Sequence, residues 1–241
     1  MERGTMRRTS LAWLMGAVGG VAVFAMVIGF GRTGTAVAQE EDESTPALPT
    51  GDVGKAEIAE MPDGAVTFVV NGEESKASYS VEEELAGQGD VTAVGETNAI
   101  VGEIVLDADG NPVAGSRLDI DLRTLKTDET RRDNYLRTNS LESDTYPLAT
   151  FVLTGVENWS GPLTEGQTVT FQMVGNLTVH GVTKEVAWES TATLNEDVIT
   201  GTATVEVEMG DFDIEKPSVG IVLSLDETVK LELEITAVVA E

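Results

Sequence analysis

The chain has 241 residues, of which 41% are hydrophobic, so it is long enough for one or two domains with a real core. Its formal charge of −27 makes nucleic acid an unfavourable partner, because an acidic surface repels phosphate backbones and anionic lipid headgroups. The absence of Cys excludes disulfides, thiolate sites and cysteine-linked lipid.

The first 38 residues have the layout of an export signal. Arg7 and Arg8 precede an apolar run at 11–30, and a small-residue cleavage motif follows at 36–38. The run of 20 residues is also long enough to span a bilayer as a helix. Two predictions therefore stay open, a signal peptide cleaved after Ala38 or a retained membrane anchor. Either one places the rest of the chain outside the cytoplasm, in the periplasm, at the cell surface or secreted, because the arginines lie on the leading side.

Residues 39–60 are acidic, contain Pro and are poor in large apolar side chains, which predicts a solvated linker. Residues 61–241 then form the predicted folded domain. After the first 38 residues, 11 basic and 41 acidic residues remain, a formal charge of −30.

From residue 61 onward, apolar and polar residues alternate in short runs separated by turn residues. This alternation predicts strands with one wet face, which is typical of antiparallel sheet. The runs lie at 65–70, 76–85, 97–106, 116–122, 149–159, 168–179, 184–194, 199–209 and 228–239, with hairpin-like links at 107–112 and 194–197. Seven to nine strands predict an all-β sandwich or closed barrel, and strands of about ten residues favour the barrel.

Residues 127–147 interrupt the alternation. Thr127 or Asp128 can cap a helix that runs to about residue 139, and Pro147 ends any helical tendency. In that helix Tyr135 and Leu136 would face the sheet. We therefore predict a short helix laid across one end of the β structure.

The residues that most catalytic and metal sites need are scarce. The chain has a single His, His180, which together with the absence of Cys excludes Cys/His nucleophiles and His-rich zinc sites. The many carboxylates single out no acid–base pair. The sequence therefore predicts a protein that is not an enzyme, with no catalytic residue, metal or cofactor, and a structural role for His180 near a turn.

Six of the 11 basic residues after position 38 lie within 117–137. One interpretation is ion pairing on the helix surface, for example between Arg137 and Asp133. The other is that paired guanidinium donors hold an anionic headgroup, for which the candidates are Arg131, Arg132 and Arg137.

Three segments in order resemble the YceI-like family of exported polyisoprenoid- or lipid-binding proteins: "LKTDETRRDNYLRTNSLESDTYPLATF", "VGNLTVHGVTKEV" and "MGDFDI". The resemblance implies a lipocalin-like antiparallel barrel of eight strands, with a helical insert over an apolar tunnel that holds a long isoprenoid chain. The chain departs from the family in three places, one of which is 91–104, where the usual second strand is aromatic and contains histidine. It has only Leu141 where two adjacent Phe often follow the helix, and Asp213 stands where Gly is usual.

A barrel of about eight strands can hold one ligand if some of its inward side chains are small. The expected function is therefore noncatalytic binding or carriage of an amphiphilic lipid, a polyisoprenoid as the resemblance implies. The alternative is a barrel filled by its own side chains, whose acidic surface serves an anchored interaction module. The predicted ligand-binding residues are Leu118, Ile120, Leu122, Tyr135, Leu136, Phe151, Phe171, Met173, Trp188, Ala203, Val205, Leu231, Leu233 and Ala237.

Overall fold

The computed structural model describes residues 47–49, 51–217 and 222–240, all of which belong to one compact unit. The predicted signal or anchor at 1–38 lies outside these residues. Among the residues described, no helix is both long enough and apolar enough to span a membrane.

The described chain contains eleven strands and one short α-helix. The helix α1 covers Thr130–Tyr135 and continues as a π-helical segment over Leu136–Ser140. The strands are β1 (Val66–Val70), β2 (Lys76–Leu85), β3 (Gly89–Thr97), β4 (Ile100–Leu106), β5 (Arg117–Asp121), β6 (Leu148–Glu157), β7 (Thr168–Val179), β8 (Val182–Asn195), β9 (Val198–Glu208), β10 (Val222–Leu225) and β11 (Thr228–Val239).

Eight of the strands form a closed antiparallel barrel. Its order is β1, β4, β5, β6, β7, β8, β9 and β11, and β11 pairs with β1 to close the ring. The all-β fold class and the eight-stranded barrel with a helical insert are confirmed. Closure leaves the ring without an exposed edge, and it separates an interior face from an exterior face along each strand.

A tight hairpin of the barrel joins β7 to β8. His180 and Gly181 form its two-residue turn, and both have positive φ, at 52° and 75°. That combination is typical of a type I′ turn, whose twist matches the twist of the strands it joins. The His180 ring contacts Tyr146 edge-on at 4.8 Å, and its Nδ1 lies 3.3 Å from the carbonyl oxygen of Phe212. His180 thus fastens this turn to neighbouring segments.

Strands β2, β3 and β10 extend the sheet outside the ring. β2 pairs with β11 over Lys76–Ser80, whereas its later residues pair with β10, and β3 follows β2 along its whole length. A second small core of Val81, Ala93 and Leu225 lies in this extension. Neither β3 nor β10 is among the predicted strands, because β3 carries Gly at two positions and β10 has only four residues.

The outer face of β5 is covered by the chain that precedes the barrel. The backbone N–H of Gly54 donates to Asp119 at 2.6 Å, and Arg123 donates to the carbonyl oxygen of Ala47 at 2.8 Å. The side chains of Asp119 and Asp121 are 0% and 1% exposed, and both accept hydrogen bonds from arginine. The boundaries 39–60 of the linker stay a prediction, but its last residues contact the barrel.

The segment 127–147, called the lid below, covers one end of the barrel. Glu129, rather than the expected Thr127 or Asp128, caps α1 by accepting from the N–H of Arg131 at 3.1 Å. Asp133 is buried and accepts from both the N–H and the hydroxyl of Thr127, at 2.8 and 2.7 Å. These bonds fix the start of the helix, so the lid is an ordered element.

Candidate ligand-binding site

Among the residues described, two cavities lie in the barrel interior. The larger, with a volume of about 170 Å³, lies under the lid and is called the lid cavity. The smaller, of about 100 Å³, lies toward the opposite end and is called the far cavity. Phe151 and Leu233 line both, so the two spaces abut along the barrel interior.

The lid cavity is walled almost entirely by carbon. Inward residues of β5, β6, β7, β8 and β11 form its wall, and the lid contributes Leu136, Ser140 and Leu141. Leu122 and Leu125 border it from the 3₁₀ turn after β5, and Phe212 and Ile214 border it from the segment after β9. This placement follows from the period-two alternation of each strand, which sends every second side chain inward.

Phe151 stands between the two cavities. Its ring contacts Trp188 edge-on at a centroid distance of 6.0 Å. Gly175 on β7 leaves room for this ring, since a Cβ atom at that position would lie 2.5 Å from the Cζ of Phe151. The lack of a side chain at Gly175 therefore sets how far the Phe151 ring lies toward β7.

The far cavity is closed by a second aromatic pair. The rings of Trp159 and Phe171 are perpendicular, with centroids 4.9 Å apart. The Nε1 of Trp159 donates to Asn111 Oδ1 at 3.1 Å, and the Asn111 amide donates in turn to Asp107. Arg117 borders this cavity, but its guanidinium is held by Asp119 and Glu57.

Two polar atoms on residues that line the lid cavity have no hydrogen-bond partner among the residues described. They are Nε1 of Trp188 and Oγ of Ser140, and both residues are buried, with exposures of 3% and 4%. Buried polar atoms in folded proteins almost always have a partner. The lid cavity therefore offers hydrogen-bonding groups that the described chain does not use.

Tyr79 also lines the lid cavity. Burial raises the pKa of its phenol to about 12, and the nearby Arg132 cation opposes that shift. The phenol is therefore neutral at physiological pH, and it adds no charge to the wall.

Most of the predicted ligand-binding residues line one of the two cavities. Those at the lid cavity are Ile120, Leu122, Leu136, Phe151, Trp188, Leu231 and Leu233. Those at the far cavity are Leu118, Phe151, Phe171, Met173, Ala203 and Leu233. Tyr135, Val205 and Ala237 line neither; Tyr135 is half-buried on α1, and Ala237 is fully buried within the core. Assignment of the whole set to ligand binding stays a prediction.

Several lining residues were missed by sequence reasoning. Leu125 and Leu163 lie in turns or loops, where no alternation marks the inward side, and Trp159 lies just after the end of β6. Phe212 and Ile214 lie in the "MGDFDI" segment, whose resemblance to a family motif was the available signal.

The three headgroup candidates differ in their contacts. Arg132 is bound to Glu83 at 2.7 Å and to Asp128 at 2.6 Å. Arg137 donates to the side chain of Asn134 at 2.9 Å, and Arg131 is exposed on the helix surface. None of the three lines the lid cavity. Asp133 is held by Thr127, so the expected pair of Arg137 with Asp133 is not the one that forms.

A comparison with family models matches residues 68–237 to the YceI-like domain. The chain belongs to the YceI-like family. The match spans the whole ring of barrel strands except the ends of β1 and β11, and it includes the lid. The family resemblance read from the three sequence segments is therefore confirmed.

Two solved structures illustrate the similarity. A polyisoprenoid-binding domain from Saccharophagus degradans, implicated in plant cell wall breakdown, is 14% identical with a TM-score of 0.58; the match covers 73% of this chain and 99% of that one. BcnA from Burkholderia cenocepacia is 18% identical with a TM-score of 0.53, over 69% of this chain and 98% of that one. These likenesses show the shared fold. No curated protein matches the sequence.

Proposed function

We propose that this protein is an exported, noncatalytic binder or carrier of an amphiphilic lipid with an isoprenoid chain. The observation that carries the proposal is the apolar lid cavity, which continues to the far cavity past Phe151 and Leu233. A chain-like ligand fits such a space, whereas a globular polar substrate would find almost no polar partners in its wall.

Burial of the ligand itself supplies the binding energy. Each Å² of apolar surface removed from water contributes about 25 cal/mol, so a chain of a few isoprene units is held without a specific polar contact. Leu136 and Leu141 of the lid extend the apolar wall over the cavity. We expect the lipid to enter past the lid or past the segment that contains Ile214 and Pro217.

The proposed ligand class also draws on the family and on one neighbour. The Saccharophagus degradans domain is described as polyisoprenoid-binding, and its fold is shared by this chain. Binding without catalysis is proposed because the described wall of the lid cavity contains neither a His nor a Lys that could act as a base beside a nucleophile.

Export is proposed from the N-terminal sequence alone. The basic residues, apolar run and small-residue motif occur in the order of a secretion signal. N-terminal sequencing of the protein recovered from its host tests the cleavage: a start at Gln39 supports a cleaved signal. A full-length chain in the membrane fraction supports the anchor.

Native mass spectrometry of the protein purified from its host membranes, without added lipid, tests the binding proposal. We expect a bound apolar species of several hundred daltons that organic solvent removes. A mass equal to the bare chain, with no uptake of added isoprenoid alcohol, would favour the alternative of an acidic interaction module with a filled core. The two cavities favour the first outcome.

A further inference from the structure

The lid cavity contains the groups needed to recognise an oxygen atom on its ligand. Trp188 Nε1 and Ser140 Oγ are unpartnered among the described residues, although both residues are more than nine-tenths buried. The indole N–H can only donate, and the serine hydroxyl can donate or accept. Leaving such groups unsatisfied is costly, so an occupant with a matching acceptor would be favoured.

The half-buried tryptophan at the far cavity differs from Trp188 in this respect. Trp159 lines the far cavity, and its N–H is satisfied by Asn111 at 3.1 Å. Two more unpartnered buried atoms in the described chain, Ser143 Oγ and His180 Nε2, belong to residues that line neither cavity. Among the described residues, the unpartnered groups that belong to cavity-lining residues are thus confined to the lid cavity.

A buried water fits this cavity poorly. A stable buried water makes about three hydrogen bonds, whereas the wall around Trp188 and Ser140 is almost wholly carbon. A ligand held in place by its apolar chain can bring an oxygen to the same groups without needing further polar partners. A ligand oxygen is therefore the better occupant.

The oxygen is expected to be uncharged. No Arg or Lys lines the lid cavity in the described part of the chain, and its wall is almost wholly carbon. An anion buried there would lie against apolar side chains without a lining cation to pair with it. A hydroxyl or carbonyl group avoids that cost and accepts the same hydrogen bond.

We infer that the lid cavity binds isoprenoid-type lipids through an uncharged hydroxyl or carbonyl oxygen that lies inside the barrel. Trp188 Nε1 donates to this oxygen, and the Ser140 hydroxyl of the lid is the second polar contact. The inference rests on the proposed function and adds to it a discrimination between an oxygenated chain and a plain hydrocarbon of the same length.

The test compares two probes, geranylgeraniol and the C20 isoprenoid hydrocarbon that lacks its hydroxyl, on the full chain. Trp188→Phe keeps an aromatic ring beside Phe151 and removes the donor. We expect it to lower the affinity for the alcohol about five- to tenfold and to leave the affinity for the hydrocarbon unchanged. Ser140→Ala should act in the same direction with a smaller effect, and it provides an independent test on the lid.

Ser143→Ala is the matched control, since Ser143 Oγ is also buried and unpartnered in the described chain but its residue lines neither cavity, and it should leave both affinities unchanged. Equal losses for alcohol and hydrocarbon in Trp188→Phe, or no loss in either variant, would overturn the inference while leaving the lipid-binding proposal standing. Failure of the unmodified protein to bind either probe would overturn the proposed function and this inference with it.

Discussion

The lid cavity and the far cavity belong to one barrel, yet they differ in how the polar groups of their lining residues are satisfied. At the far cavity, Trp159 donates to Asn111, and Arg117 is held by two carboxylates. At the lid cavity, Trp188 Nε1 and Ser140 Oγ have no partner in the described chain. A protein core normally satisfies its own donors, so the contrast indicates that the polar groups at the far end stabilise the barrel, whereas those at the lid end are left for an occupant.

The largest expected effects come from placing a large side chain either in the lid cavity or in the solid core. Ala149 lines the lid cavity, whereas Ala237 is 0% exposed and lines neither cavity. Ala237→Trp should overpack a core that has no free space at this position, and should lower the free energy of unfolding by about 3 kcal/mol or more. Ala149→Trp should lower the free energy of unfolding by only about 1 kcal/mol, because the lid cavity has space for the ring. It should also abolish geranylgeraniol binding.

Urea unfolding and lipid titration of both variants provide the measurements. Ala203→Trp, at the smaller far cavity, should be intermediate in stability. Equal destabilisation by the Ala149 and Ala237 substitutions would contradict the distinction between cavity and core.

The pH dependence of stability tests the burial of Tyr79 at the lid end. Burial raises the pKa of Tyr79 in the folded protein to about 12, above a value near 10 in the unfolded chain. The contribution of Tyr79 to the free energy of unfolding is therefore complete below about pH 10 and is lost as the pH rises to about 12. The loss over this interval should be about 2 kcal/mol.

Unfolding measured at pH 9 and pH 12 should show a smaller decrease for Tyr79→Phe than for the unmodified protein. Trp159→Phe, at the far end, should retain the full decrease. The same decrease in all three proteins would show that the Tyr79 phenol is hydrated in the folded protein, and that water reaches the lid end of the barrel.

The two tryptophans should also differ in the ligand-free protein. Trp159→Phe removes a formed hydrogen bond and should lower the free energy of unfolding by about 1 kcal/mol. Trp188→Phe removes a donor that has no partner, so its cost should be smaller. Urea unfolding of delipidated protein compares the two, and a larger loss for Trp188→Phe would reveal a partner for its N–H inside the protein.

The smallest expected effect concerns the exposed arginines of the lid. Arg131→Gln and Arg137→Gln should each lower the affinity for geranylgeranyl phosphate about twofold, because exposed charge pairs are worth only a fraction of a kcal/mol. The affinity for the alcohol serves as the control and should not change. Equal weakening of both ligands would leave the arginines without a headgroup role.

The barrel itself could be predicted from the sequence, because its strands have one wet face. The predicted runs at 168–179 and 228–239 coincide with β7 and β11, and Ile120, Leu231 and Leu233 point inward as expected. Period-two alternation carries this information locally. β3 and β10 were not predicted. Glycines interrupt the alternation in β3, and β10 is too short to show it.

The partners of buried polar groups could not be predicted. Arg132 pairs with Glu83, which lies 49 positions earlier, and Trp159 pairs with Asn111, 48 positions earlier. Both contacts depend on how the barrel closes. The unpartnered state of Trp188 Nε1 is a property of the whole surrounding wall, so no local pattern marks it.

Photoaffinity labelling tests most directly whether the lid cavity holds the lipid chain. A C20 isoprenoid alcohol that carries a diazirine on its chain would be irradiated with the full-length protein, and the labelled residues located by peptide mass spectrometry. We predict labels on inward residues of the lid cavity, such as Ile120, Leu177 and Leu231, and their loss in Ala149→Trp. Labels confined to the outer surface, or labels that persist in Ala149→Trp, would contradict the account.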